Sequence, residues 1–215
     1  YRPSGPLAQA LTVAASASGL LGITLAITYL GPVASGGVSR RALAGEISLL
    51  GQTPDEIIEA ARAQGADRFA ARLEGLAPAI LKMAEQHLAY PVLSYFHSPQ
   101  PRLALPLRLA GLYEALLALK CGQENHAKAV RDYDSVLEAI EIYVRRLGRE
   151  AADRKTTPEP QATDLCGVAA DSEPSSTGRD STAITRRRLR AMVERDGWTW
   201  RDVSGDAAEG PLPRV

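Results

Sequence analysis

The side chains most able to do chemistry lie where water is scarce. Between Arg2 and Arg40 the chain carries no charge, yet Gln9, Thr12, Ser16, Gly19, Gly22 and Ala26 recur at helical spacing and form a small or polar stripe through an apolar run. Polar groups inside a membrane face a bundle interior or water, so the stripe reads as either a pathway lining or a helix-packing seam. Thr12, Ser16, Gly19, Ile23 and Ala26 are the pathway-lining candidates, and Gly19 and Gly22 are the candidates for a bend. His87 and His97 flank the aromatic segment Tyr90-Pro91-Val92-Leu93-Ser94-Tyr95-Phe96 and suggest a metal or proton-sensing pair. No Cys or carboxylate sits beside them at ligand spacing, so aromatic packing with backbone-bonded histidines is the simpler reading. The same aromatics also suit a membrane interface.

Arg186, Arg187, Arg188 and Arg190 form the third cluster, one that suits an anionic leaflet, a solvated helix face or pairing with acids of the bundle. With Arg40 and Arg41, which come after the apolar run, they are the membrane-surface candidates. Ser175, Ser176 and Thr177 could accept phosphate. No Gly-rich phosphate loop, zinc spacing, nucleophile elbow or Ser–His–Asp arrangement occurs, so no catalytic residue, metal ligand or cofactor is assigned and no reaction is expected. Lys and Arg number 25 against 25 Asp and Glu, which gives no electrostatic reason to expect nucleic acid. Cys121 and Cys166 lie far apart and read as reduced thiols.

The element positioning the stripe is Leu7–Leu30, whose 24 residues reach roughly 36 Å as a helix, enough to cross a hydrocarbon core of about 30 Å. Pro6 suits its first turn. Gly31-Pro32 reads as its stop. Arg40 and Arg41 behind the span, against Arg2 ahead of it, favour a cytoplasmic location for the rest of the chain.

Beyond the exit the periods are helical and strand signals are scarce, so the fold class is all-α: one transmembrane helix, a cytoplasmic helical bundle and a partly disordered tail. Thr53-Pro54-Asp55-Glu56 is a helix start with a capping box, running to Gln64 with Gly65 at its end. A helix over Arg68–Leu88 is expected to restart or kink at Pro78. Pro106–Lys120 and His126–Leu147 are two more, the second with a clean stripe from Ala129 to Leu147 opposite a solvated charged face. The composition assigns 1–6 to an outer entry, 7–31 to the span, 37–148 to the helical domain, 149–180 to a disordered linker, 181–202 to a basic helix with a Trp198/Trp200 anchor, and 203–215 to a frayed tail.

The opening Tyr1-Arg2-Pro3-Ser4, ahead of a glycine-containing apolar helix, resembles the x-x-Pro-Ser tail that comes after a Thr-x-Gly-Tyr-Gly-Asp filter in bacterial two-helix potassium-channel-like proteins. Ile27–Val33 (ITYLGPV) and His87–Ser98 (HLAYPVLSYFHS) resemble segments of the same family, and the likeness covers roughly Tyr1 to Lys120. The filter lies outside this sequence, so the chain reads as a piece of a longer protein. The resemblance implies Leu7–Leu30 as inner helix, Gly19 or Gly22 as hinge, potassium as permeant ion, and a tetramer in the cell inner membrane, multi-pass at full length with a cytoplasmic C-terminal domain. A membrane-anchored helical scaffold or signalling module, with no ion path, is the alternative.

Overall fold

The structure, a computed structural model that describes residues 5–121, 127–147 and 176–205, runs the apolar segment straight through Gly31-Pro32. Helix α1 spans Pro6–Ser48, 43 residues, or about 64 Å at 1.5 Å per residue. The expected stop is therefore corrected: span and first bundle helix are one rod. Pro32 leaves the Thr28 carbonyl without its helical donor and costs on the order of 3 kcal/mol in a helix interior. Packing outweighs that cost, because Val33, Gly36, Arg40, Leu43, Ala44 and Ile47 are buried along one face below the proline. Each fully buried aliphatic side chain contributes about 1.5–3 kcal/mol. Above the proline, α1 is bare among the described residues apart from Tyr29, which meets Tyr90 edge-on. Residues 11–31 are exposed throughout, including Leu20, Leu21, Ile23, Leu25 and Ile27. A bare apolar column of this length is what lipid would cover.

The remaining helices are α2 (Pro54–Gln64), α3 (Ala66–Leu73), α4 (Leu76–Ala89), α5 (Leu105–Cys121), α6 (Ala127–Leu147), α7 (Ser176–Arg195) and α8 (Trp200–Ser204). Two 3-10 turns, Pro91–Tyr95 and Pro101–Leu103, join α4 to α5. No strand occurs among the described residues, and the fold is all-α as expected. Thr53 caps α2 by accepting from the Glu56 N–H at 3.2 Å. The Glu56 carboxylate closes the box one residue early, on the Gln52 N–H at 2.7 Å.

Helix α5 is the axis of the bundle. It touches α1, α2, α6, α7 and α8, and every residue from Leu105 to Leu116 is buried. A helix apolar on all sides needs neighbours on all sides. α4 and α3 pack on α6, whose Tyr133, Val136, Ile140, Tyr143 and Val144 face inward. The opposite face of α6 is less free than expected: Asp134 pairs with Lys120 at 2.6 Å and Arg146 pairs with Glu85.

Three further expectations change. The break in Arg68–Leu88 falls at Gly75, with φ of 92° in the left-handed region that glycine tolerates, and Pro78 sits in the first turn of α4. There its missing N–H is one the helix would leave unpaired anyway. Residues 176–180, assigned to the linker, are the first turns of α7. Ser176 and Thr177 thus lie in a helix, while Ser175, Cys166 and the linker over 149–175 lie outside the described residues. Val203, assigned to the frayed tail, is 2% exposed in the core. Trp198 and Trp200 are partly buried and pack against the same core. Thr199 between them caps α8 in a full capping box with Asp202.

Candidate functional site at the membrane exit

Arg40 is the first charge after the apolar run, and α1 turns it inward. Its Nη2 donates to Asp196 Oδ1 at 3.1 Å and Oδ2 at 2.8 Å. Its Nη1 donates to the Leu93 carbonyl at 3.2 Å and to the Phe96 carbonyl. His97 Nδ1 donates to Asp196 Oδ1 at 2.9 Å. The Arg40 and Asp196 side chains are 7% and 2% exposed, whereas that of His97 is 45% exposed. Three segments meet here: α1 just below the span, the chain around the first 3-10 turn, and the residue that ends α7.

Charges out of water are costly unless every lone pair and proton is used. Here the guanidinium meets a carboxylate and two carbonyls, and the carboxylate meets a guanidinium and an imidazole. Such a cluster specifies one seating of α1 against the bundle more than it adds net stability.

Beneath the cluster lie two neutral rings. His87 Nδ1 donates to the Met83 carbonyl at 3.1 Å, and its ring meets Tyr143 edge-on at 5.7 Å between centroids. Burial holds the His87 pKa below its usual 6.5, and the Arg40 and Arg195 charges push the same way, so it is neutral at pH 7. Burial raises Tyr143 to about 12 and raises Tyr113 as well. Both phenols stay protonated in the fold at a pH where the unfolded chain releases its proton near 10. Their contribution is complete below pH 10 and is lost as pH climbs toward the folded values. Stability should therefore fall between pH 10 and 12 by about 1.4 kcal/mol per pH unit for each such tyrosine, as a phenolate absorbance titration run alongside urea unfolding would show.

Beside the cluster opens a cleft of about 470 Å³, lined by Ala34, Gly37, Val38, Arg41, Phe96, His97, Ser98 and Gln100 among others. Arg41 is exposed at its edge.

The pathway-lining candidates Thr12, Ser16, Gly19, Ile23 and Ala26 all lie on α1 and are all exposed, in register on one helical face. A Cβ on Gly19 or Gly22 would meet nothing within 4 Å, so no contact among the described residues demands glycine there. The hydroxyls of Thr12, Thr24 and Thr28 donate to the carbonyls of Ala8, Leu20 and Thr24 at 2.8, 2.9 and 2.7 Å. His87 and His97 serve different partners, and only His87 bonds to backbone.

Of the membrane-surface candidates, Arg40 and Arg186 are corrected. Arg40 is sealed in the cluster above. Arg186 grips the buried Glu114 through two bonds of 2.7 and 2.6 Å. Arg190 reaches Glu194 one turn on at 2.7 Å, Arg188 is half-buried, and Arg187 and Arg41 are exposed.

Sequence reasoning misses Asp196 and Glu114 as partners, although both leave a signal. Asp196 is an acid at a helix C-terminus, where the macrodipole disfavours it unless a cation answers. Glu114 is a lone carboxylate inside the apolar run of α5.

No protein-family model matches the chain, and no solved structure matches it. It is similar to a protein of Bacillus subtilis strain 168 described as the uncharacterized membrane protein YdjJ, 32% identical over 121 residues. That match covers 56% of this chain and 36% of the relative, so the chain spans little more than a third of that protein's length. Among its described residues the chain thus carries one helix long and apolar enough to cross a membrane, and it is similar to a membrane protein.

Proposed function

We propose that the chain is the C-terminal part of a bacterial potassium-channel-like membrane protein, conducting cations passively through a homo-oligomeric pore, a tetramer with potassium as the permeant ion. In this reading it sits in the inner membrane as part of a multi-pass protein, with the helical bundle in the cytoplasm. The supporting observation is the unbroken α1, whose exposed upper half presents the Thr12–Ser16–Gly19–Ile23–Ala26 face and whose lower half is keyed into the bundle at Arg40. A continuous helix of this kind would couple a shift of the bundle to the pore-lining face, with Gly19 or Gly22 as the place to bend. Selective passage needs rings of ligands on the axis of an oligomer, so each copy would contribute one α1.

A second reading, a membrane-anchored helical module without an ion path, is favoured by the Thr12, Thr24 and Thr28 hydroxyls. Each bonds to a carbonyl of its own helix, so these hydroxyls need no partner from another helix in lipid. Potassium flux into vesicles carrying the full-length source protein separates the two. A leucine at position 16 or 19 narrows a pore by several methylenes, so Ser16→Leu and Gly19→Leu should each cut flux at least about tenfold, the equivalent of roughly 1.4 kcal/mol on the barrier. Unchanged flux in both variants, or no flux in the parent, would remove the pore and leave the anchor.

A further inference from the structure

The end of the bundle nearest the apolar span is built by the chain between α4 and α5. Contacts down α1 come in order. Tyr29 meets Tyr90 edge-on at 5.8 Å, then Gly36 lies against Leu93, Gly37 against Phe96, and Gly45 against Leu103. Tyr29 belongs to the last turn of the apolar run, and Gly37 lies about 12 Å further along the helix. A bilayer's polar layer adds roughly 5–7 Å to each side of its hydrocarbon core. The Tyr90–His97 segment therefore lies at and just beneath the headgroups once α1 spans.

Its side chains suit that layer. Leu88, Tyr95 and Phe96 are large apolar residues left 53%, 77% and 45% exposed. Aromatic rings gather at the lipid–water boundary. Arg41 lies one turn further down α1, about 18 Å past Tyr29; it is exposed and has no carboxylate partner among the described residues. On the other side of the 3-10 turn a smaller cleft of about 220 Å³ places Arg146 and Arg195 beside Leu88 and Ser94, with Arg146 also pairing with Glu85. This end of the bundle is thus apolar at its tip and cationic in its recesses.

We propose that the 470 Å³ cleft holds the phosphate headgroup of an anionic phospholipid from the adjoining leaflet. Arg41 and His97 meet the phosphate, Ser98 and Gln100 offer further polar contacts, and Val38 and Phe96 form the apolar wall of the cleft. Arg41 can reach upward because its methylene stem runs along apolar surface while its charge stays wet. The inference requires only that α1 crosses the bilayer, and so holds for a pore or an anchor alike. It moves the lipid contact from the arginines of α7, where Arg186 and Arg190 already bind Glu114 and Glu194, to the collar around the first 3-10 turn.

The test uses the full chain in micelles doped with phosphatidylglycerol or phosphatidylcholine, with retained lipids counted by native mass spectrometry. The parent should retain phosphatidylglycerol in preference, and Arg41→Gln should reduce that preference about fivefold, the factor one cation contributes beside an anionic leaflet. Arg41→Gln/His97→Gln should abolish the preference. Arg41→Gln alone spares the Asp196 cluster, so its melting temperature in phosphatidylcholine should match the parent's. Arg187→Gln on α7 should leave the preference intact. Equal retention of both lipids by the parent, or a preference that survives the double variant, would overturn the proposal. So would its loss in Arg187→Gln, which would return the contact to α7. Displacement of the lipid by millimolar inorganic phosphate would instead make the cleft a site for soluble anions, and would overturn it equally.

Discussion

Asp196→Ala should destabilise the chain by about 3–5 kcal/mol, the usual cost of removing one member of a buried ion pair. The cost comes from what remains. Arg40 stays 6% exposed, with two carbonyls and no counter-charge. His97 is exposed enough to turn to water, so it adds little. The measurement is urea unfolding of the full chain in neutral micelles, monitored through the fluorescence of Trp198 and Trp200, which pack on the same core. A loss below about 1 kcal/mol would mean that water reaches Arg40 and that the cluster behaves as a surface pair. Arg40→Met/Asp196→Leu is the informative companion. Apolar replacements of buried pairs are often neutral or stabilising, so most of the lost stability should return. If the cluster sets the seating of α1, that double variant would recover stability without recovering a single arrangement, visible as broadened resonances for Leu93 and Phe96.

The second large effect lies one turn above. Gly36 sits so close to the first 3-10 turn that a Cβ there would meet Leu93 Cδ1 at 2.8 Å and Cδ2 at 3.1 Å. Leu93 is fully buried, so its methyls can yield only by repacking against their neighbours. Gly36→Ala should therefore cost about 1–3 kcal/mol by overpacking, despite alanine's better helix propensity. Leu93→Ala should cost about 2–5 kcal/mol through the cavity it leaves. The two defects occupy the same space, so Gly36→Ala/Leu93→Ala should cost less than the sum of the singles by more than about 0.5 kcal/mol. Simple additivity in the same urea assay would show that α1 and the turn do not interlock at this level.

These two positions explain why α1 is longer than its local signals suggest. Gly31-Pro32 reads as a helix stop, and by local propensity it is one. The glycines at 36 and 37 instead make the surface on which Leu93 and Phe96 sit. The backbone stays helical because its partners lie more than fifty residues away in sequence. By contrast, the α2 start is readable to the residue, because Thr53, Pro54 and Glu56 act on backbone groups within one turn. The break near Pro78 shows the same division. Proline marks an irregularity, but Gly75 with its positive φ is where the chain turns.

The candidate site is legible in the sequence only in pieces. Arg40, Arg41 and His97 are visible as residue types near the membrane exit. Asp196 is not, because its partners are supplied by α1 and by the chain just after the first 3-10 turn. Likewise the arginines of α7 are visible as a basic cluster, while Glu114 is hidden in an apolar helix. A charge cluster in sequence tells which groups must be answered, not which group answers them.

What the sequence by itself determined is therefore the all-α class, the apolar segment from Leu7 to Leu30, the face shared by Thr12, Ser16, Gly19, Ile23 and Ala26, and the caps of α2. All of these come from period, length and contacts within a turn. The tertiary structure alone decided that span and bundle share one helix, that Arg40 faces inward while Arg41 faces the cleft, and that α7 closes on α1 through Asp196. Each of those depends on burying groups from distant parts of the chain together, where the energy of packing and of pairing charges exceeds the local preferences that oppose it.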